Sequence, residues 1–140
     1  MMESYWTTAA DKPTASKHDI EHSKWYSKVH KIVVSKTMED TGLTNTTIIS
    51  ENLQHRINEI KQSRNGGSED ILLLGSPTAT YSLIQLNLII GYWLFVNPII
   101  LGQGIPLFVD IKNKIKLKLL TTTRQFTCGV TELNYTVDRQ

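Results

Sequence analysis

At 140 residues, 40% hydrophobic and 20% charged, the chain has the size and make-up of one globular domain, which excludes a disordered or low-complexity protein. The 15 Lys and Arg against 13 Asp and Glu leave a formal charge of +2, too small and too scattered to form a nucleic-acid track. One cysteine, Cys128, excludes an internal disulfide framework, and the start Met1-Met2-Glu3-Ser4-Tyr5-Trp6 lacks the basic and apolar regions of a secretory signal, so a cytoplasmic location is expected.

In chain order, the first segment reads as a short helix followed by a loop through Asp11-Lys12-Pro13-Thr14. Ser16 stands three residues before Asp19, the spacing of a capping box, and predicts a helix over 17–27. Ile32, Val33 and Val34 form a short β-branched strand ending at Ser35. A loop through Asp40-Thr41-Gly42 leads to a second strand over 46–49. Ser50 then suits the N-cap of a helix over 51–62, whose Leu53, Ile57 and Ile60 share one face, and Asn65-Gly66-Gly67 stops it.

The run Ile71-Leu72-Leu73-Leu74 is continuously apolar, as in a strand covered on both faces. It breaks at Gly75, where Ser76 as N-cap and Pro77 as first helical residue open a helix to about residue 86. Residues 83–101 are the most apolar stretch. Gln85, Asn87, Asn97 and Pro98, with Gly91 near the middle, make it helix, turn and strand rather than a membrane span. The strand is predicted over 92–100 and the turn at Leu101-Gly102-Gln103-Gly104. Lys112, Lys114, Lys116 and Lys118 alternate with Ile115, Leu117 and Leu119, a solvated strand face that also blunts a sheet edge. Leu133, Tyr135 and Val137 continue the period of two, so a terminal antiparallel hairpin or strand pair is expected. Strand, helix, strand, helix, strand and hairpin spell an α/β fold.

Two strand exits can hold an anion. At Gly75-Ser76 the backbone can approach a phosphate at a helix N-terminus, although the same residues also make a simple tight turn with a serine cap. Ser35-Lys36-Thr37 places two hydroxyls beside a lysine at a strand's carboxyl end, suited to a phosphate monoester or to a plain polar exit. His18-Asp19-Ile20-Glu21-His22 satisfies the H-x-x-E-H pattern of inverted zinc peptidases, but no third ligand follows, so an exposed helix with two surface histidines and no metal is expected. His30 and His55 stand apart. Trp6, Trp25, Tyr26 and Trp93 suit core or subunit-interface packing better than a ring-binding platform, and Cys128 has no neighbouring base to make it a nucleophile.

Four segments in order carry a family resemblance. They are Val33-Val34-Ser35-Lys36-Thr37-Met38, Asn45-Thr46-Thr47-Ile48-Ile49-Ser50, Asp70-Ile71-Leu72-Leu73-Leu74-Gly75-Ser76, and Pro98-Ile99-Ile100-Leu101-Gly102-Gln103-Gly104-Ile105-Pro106-Leu107-Phe108. Together they resemble the dihydrofolate-reductase-like family, in the group related to the reductase domain of the bacterial riboflavin deaminase-reductase. The resemblance implies a mixed sheet flanked by helices with a C-terminal antiparallel strand pair, in a single domain over 1–140. That domain begins in mid-fold, with its first central strand absent. It implies NADPH as cofactor and hydride transfer to a small heterocyclic or carbonyl substrate, like the aminouracil reductase of riboflavin biosynthesis or dihydrofolate reductase. A catalytically silent module that only folds or dimerises is the alternative.

By resemblance, Ser35, Lys36 and Thr37 contact the 2′-phosphate of NADPH, while Gly75, Ser76, Pro77, Thr78 and Ala79 approach the pyrophosphate. Gly102 and Gly104 are implied to be mainly conformational, and no catalytic residue is assigned. The family's acidic pair after the helix is missing, since Leu88-Ile89 runs into Ile90-Gly91. The implied partners are the small-molecule substrate and a second copy in a homodimer, with no nucleic acid and no membrane.

Overall fold

The computed structural model describes residues 2–39, 42–63, 70–120 and 124–139. The chain divides into two compact units, Met1–Glu59 and Ile60–Gln140, each described by itself. The first holds α1 (Met2–Trp6), a 3-10 turn (Ala9–Asp11), α2 (Lys17–Lys28), β1 (Lys31–Val34), β2 (Thr46–Ile49) and the start of α3 (Leu53–Ser63). The second holds the end of α3, α4 (Pro77–Gln85), β3 (Gly91–Val96), β4 (Lys116–Leu119), β5 (Arg124–Gln125) and β6 (Thr131–Asp138).

Helix α2 starts where its local chemistry dictates. The Ser16 hydroxyl accepts from the Asp19 N–H at 3.1 Å, and the Asp19 carboxylate accepts from the Ser16 N–H at 2.9 Å, a complete capping box. These bonds to Ser16 hold the Asp19 carboxyl below its ordinary value. On the inner side of the helix, the buried Ser23 donates its hydroxyl to the Trp6 carbonyl at 2.7 Å, tying α2 to α1 without an orphaned polar group.

After α2 come β1 and β2, which pair in parallel from Lys31↔Thr46 to Val34↔Ile49. His30 Nε2 meets Thr47 Oγ1 at 3.0 Å beside the first pair. The apolar centre of this unit is Ala9, Tyr26, Ile49 and Ile57. Helix α3 begins at Leu53, later than predicted: Asn52, at φ +52°, supplies the carbonyl that accepts the first helical bond from Arg56, so Ser50 lies outside the helix and does not cap it. The stop signal at Asn65-Gly66-Gly67 and the loop residues Asp40 and Thr41 lie outside the described residues.

In the second unit, residues 71–74 belong to no ladder among the described residues, and Ile71, Leu72 and Leu74 are exposed. The expected strand covered on both faces is therefore corrected to an apolar segment that pairs with no other strand among the described residues, because a strand also requires a neighbour to take its N–H and C=O groups. Helix α4 follows as predicted, with Ser76 capping Ala79 and Pro77 in the first turn, and buries Ala79, Leu83 and Ile84. Strand β3 ends at Val96 rather than near residue 100: Asn97-Pro98 follows, and proline has no N–H for a ladder.

Antiparallel ladders join β3 to β6 (Tyr92↔Tyr135, Leu94↔Leu133) and β4 to β6 (Leu117↔Val137), giving the order β3-β6-β4, with β5 also on β6. The expected terminal antiparallel pair is β4 with β6, although the lysine-rich strand starts only at Lys116. At the head of β3, a Cβ on Gly91 would lie 2.7 Å from the Tyr135 carbonyl oxygen, so glycine fits where the resembled family carries a carboxylate. The fold is mixed α/β, and the described residues form a parallel and an antiparallel sheet.

Three substitutions check this account. Ile49→Ala should cost about 2–4 kcal/mol in urea unfolding, whereas Val34→Ala, at its half-exposed ladder partner, should cost well under half of that. Ser16→Ala should cost ~1 kcal/mol. Because the folded Asp19 carboxyl is depressed, its capping contribution is present above the unfolded carboxylate range and disappears as pH falls through the folded value. Ser16→Ala should therefore flatten the acid limb of a melting-temperature profile; an unchanged limb would exclude the capping box as its source.

Candidate functional site

Ser35 leaves the carboxyl end of β1, its N–H donating to the Ile49 carbonyl at 3.1 Å as the last bond of the parallel pair. Its Oγ then accepts from the N–H groups of Thr37 (3.3 Å) and Met38 (3.0 Å). This side-chain turn folds Ser35-Lys36-Thr37 into a compact polar exit. With both backbone bonds accepted by oxygen, the Ser35 hydroxyl proton is still available for an anion. Lys36 and Thr37 are exposed. The arrangement offers two hydroxyl donors and one ammonium at a parallel strand end, where α/β folds place ligands.

In the second unit, Gly75 stands at φ +64°, a left-handed conformation that favours glycine, and a Cβ there would meet nothing within 4 Å. The space above this backbone is open. Ser76 Oγ accepts from the Ala79 N–H at 3.4 Å, and its carbonyl accepts the Thr80 hydroxyl at 2.8 Å. Pro77 contributes no N–H, so the unpaired donor of the first turn belongs to Thr78, whose side chain is exposed. Ala79 is buried and acts as packing. The structure thus gathers Gly75, Ser76 and Thr78 at one helix start, and Ser35, Lys36 and Thr37 at one strand end.

Other predicted features resolve differently. His18 and His22 lie on one face of α2 with ring centroids 5.6 Å apart, but the His22 ring packs 4.0 Å from Trp6 and 5.0 Å from Trp25. Glu21 lies 3.8 Å from Lys17, and among the described residues no three His, Cys, Asp or Glu side chains gather as a metal site. Gly102 and Gly104 occupy no left-handed conformation and a Cβ at either would meet nothing within 4 Å, so no steric demand here requires glycine. Trp25 and Trp93 are exposed rather than buried in a core.

One further concavity was not legible in the sequence. A cleft of about 480 Å³ is lined by Ile84, Ile89, Tyr92, Lys116, Val137 and Arg139, among others. Burial pushes the Tyr92 phenol above its ordinary value, and the Arg139 guanidinium donates to the carbonyls of Asn87 (2.8 Å) and Ile89 (3.2 Å). Its lining comes from the ends of four separate segments, and no periodicity brings those together. None of the predicted cofactor residues lines it.

Comparison with known proteins agrees with this architecture. The chain is 35% identical over 120 residues to the uncharacterized protein YyaP of Bacillus subtilis (strain 168), covering 84% of this chain and 61% of that protein, so it spans about three-fifths of the curated relative. Its fold resembles the crystal structure of a proposed riboflavin biosynthesis protein from Shewanella sp. PV-4, with a TM-score of 0.67 at 17% identity over 88% of this chain and 71% of that one. Among the described residues no helix is long and apolar enough to cross a membrane. The family model of the RibD C-terminal domain matches residues 1–131, and the chain belongs to that family.

Proposed function

We propose that the protein is an NADPH-dependent reductase domain that transfers hydride to a small heterocyclic or carbonyl substrate. Membership of the RibD C-terminal domain family supports this reading. The observation that carries it is the open, left-handed Gly75 backbone leading into a serine-capped helix. That cradle suits a pyrophosphate, because helix N–H groups and their dipole stabilise negative charge without a side-chain cation.

In this reading Gly75, Ser76 and Thr78 hold the pyrophosphate, with Pro77 and Ala79 shaping the helix start. Ser35, Lys36 and Thr37 take the 2′-phosphate: the hydroxyls donate hydrogen bonds and the ammonium supplies the charge. Bound NADPH would supply the hydride from its nicotinamide; the chain's own part is to position it and to balance charge. A folded module without catalysis is the second reading.

Thermal melts of the 140-residue chain with each nucleotide decide between them. NADPH at 100 times its dissociation constant should add roughly 2.7 kcal/mol, raising the melting temperature by about 5–15 °C, and NADH should do less. A melt indifferent to both nucleotides would leave the silent module. Within the proposal, Lys36→Ala should weaken NADPH binding by about 10- to 100-fold and leave NADH binding unchanged, because one charge-assisted contact is worth roughly 1.5–3 kcal/mol. An equal loss for both nucleotides would remove Lys36 from the 2′-phosphate.

A further inference from the structure

The two ends of helix α4 meet different surroundings. Its start carries Gly75 and Ser76, whereas Ile84 and Asn87 at its other end open onto the cleft of about 480 Å³. The length of the helix, roughly 13 Å at 1.5 Å per residue, separates the two. The cleft is thus a place apart from the proposed nucleotide cradle. Its volume lies in the lower part of the range of small-molecule pockets, about 300–1,000 Å³.

Hydrogen bonds hold the walls of the cleft in place. The Val137 N–H and the Thr136 hydroxyl both donate to the Ile90 carbonyl, at 2.9 and 3.3 Å. Arg139 bonds the carbonyls of Asn87 and Ile89, so the end of β6 is tied to the turn that leaves α4. Gln85 Nε2 donates to the Asp110 carbonyl at 2.9 Å, which anchors the segment leading to Lys114 and Ile115 at the same helix end. The Tyr92 ring stands edge-on to Phe108, with centroids 5.5 Å apart.

The lining divides by chemistry. Ile84, Ile89, Ile115, Val137 and the Tyr92 ring are apolar, and each is buried or half-buried. Lys114, Lys116 and Arg139 bring cations to the cleft, and Asp138 brings a carboxylate. The β4–β6 register sets Lys116 opposite Asp138, so those two charges offset each other. Lys114 forms no ion pair among the described residues. Both bonds of Arg139 come from Nη2, which leaves its Nε and Nη1 donors to a ligand. Positive charge therefore stands beside an apolar wall.

We propose that this cleft is a second binding site, for a small organic acid with one carboxylate on an apolar one-ring body. Lys114 and Arg139 hold the carboxylate, and the ring lies against Ile89, Ile115, Val137 and Tyr92. A bare phosphate would leave the apolar wall in water. A neutral ring would set two cations beside an apolar ligand with no partner for their charge. A ligand that carries both parts uses the whole lining.

The test titrates the isotope-labelled full chain with phenylpropanoate as probe and follows its backbone amides by nuclear magnetic resonance. Saturable shifts should centre on Ile89, Tyr92, Ile115 and Arg139, with a dissociation constant on the order of millimolar for so small a molecule. The neutral analogue phenylpropanamide should bind about tenfold more weakly, and inorganic phosphate should give no comparable saturation. Lys114→Glu, at an exposed position outside the ladders, should weaken the acid about tenfold while the spectrum remains that of a folded chain. If Lys114→Glu fails to fold, the comparison of acid with amide on the unaltered chain decides. Shifts centred on Gly75 and Ser76, equal affinity for acid and amide, phosphate binding as tight as the acid, or no saturation would each overturn the proposal.

Discussion

Strand β6 carries three sets of ladder hydrogen bonds at once, to β3, β4 and β5, and the second unit depends on that. Each of the other strands is short, and a pair of strands alone is marginal in water. β6 runs for eight residues, long enough to span both neighbours, and its residues are all half-buried. Its alternation puts Leu133, Tyr135 and Val137 on the face shared with Tyr92, Leu94, Leu117 and Leu119, while Glu132, Asn134 and Thr136 share the other with Trp93, Phe95 and Lys118. A one-residue slip of β6 would exchange these two sets at both ladders together, so the register is specified twice.

The first unit solves a different problem. Two parallel strands of four residues cannot stand alone, and their stability comes from the side chains packed around them. Ile49 closes the ladder and is almost fully buried, and the Ser23 hydroxyl, satisfied by the Trp6 carbonyl, allows α2 to approach α1 closely. The same ladder end delivers Ser35 in a defined direction, because its N–H is held by Ile49 before its side chain turns back to bond Thr37 and Met38. Packing and the polar exit are thus consequences of one pairing.

Local chemistry was legible in the sequence and non-local pairing was not. The capping box at Ser16 and Asp19, the Ser76-Pro77 helix start and the strand at 46–49 each depend on a few adjacent residues, and each stands where the pattern placed it. Ser50 misled because serine, asparagine and aspartate compete for the same role; Asn52 in a left-handed conformation starts α3 instead. The run at 71–74 showed its apolar content but not that no strand pairs with it among the described residues, since a ladder requires residues far away in the chain. Of the candidate site, residue types and their strand and helix ends could be read in advance. The Ser35 side-chain turn and the Gly75 conformation could not, because they are backbone geometry.

The contrast in charge between the two exits has a physical meaning. The helix start at Gly75-Ser76 has no ionisable side chain near it in sequence, whereas Ser35-Lys36-Thr37 contains one. Backbone N–H groups at a helix N-terminus stabilise any anion and carry no information about which nucleotide it belongs to. A lysine flanked by two hydroxyls favours a dianionic monoester over a bare hydroxyl, by charge as well as by hydrogen bonds. In the proposed reductase, affinity therefore resides in the glycine-led helix start and the choice between phosphorylated and unphosphorylated cofactor in the strand exit. Keeping lysines out of residues 71–109 leaves the first task to dipoles.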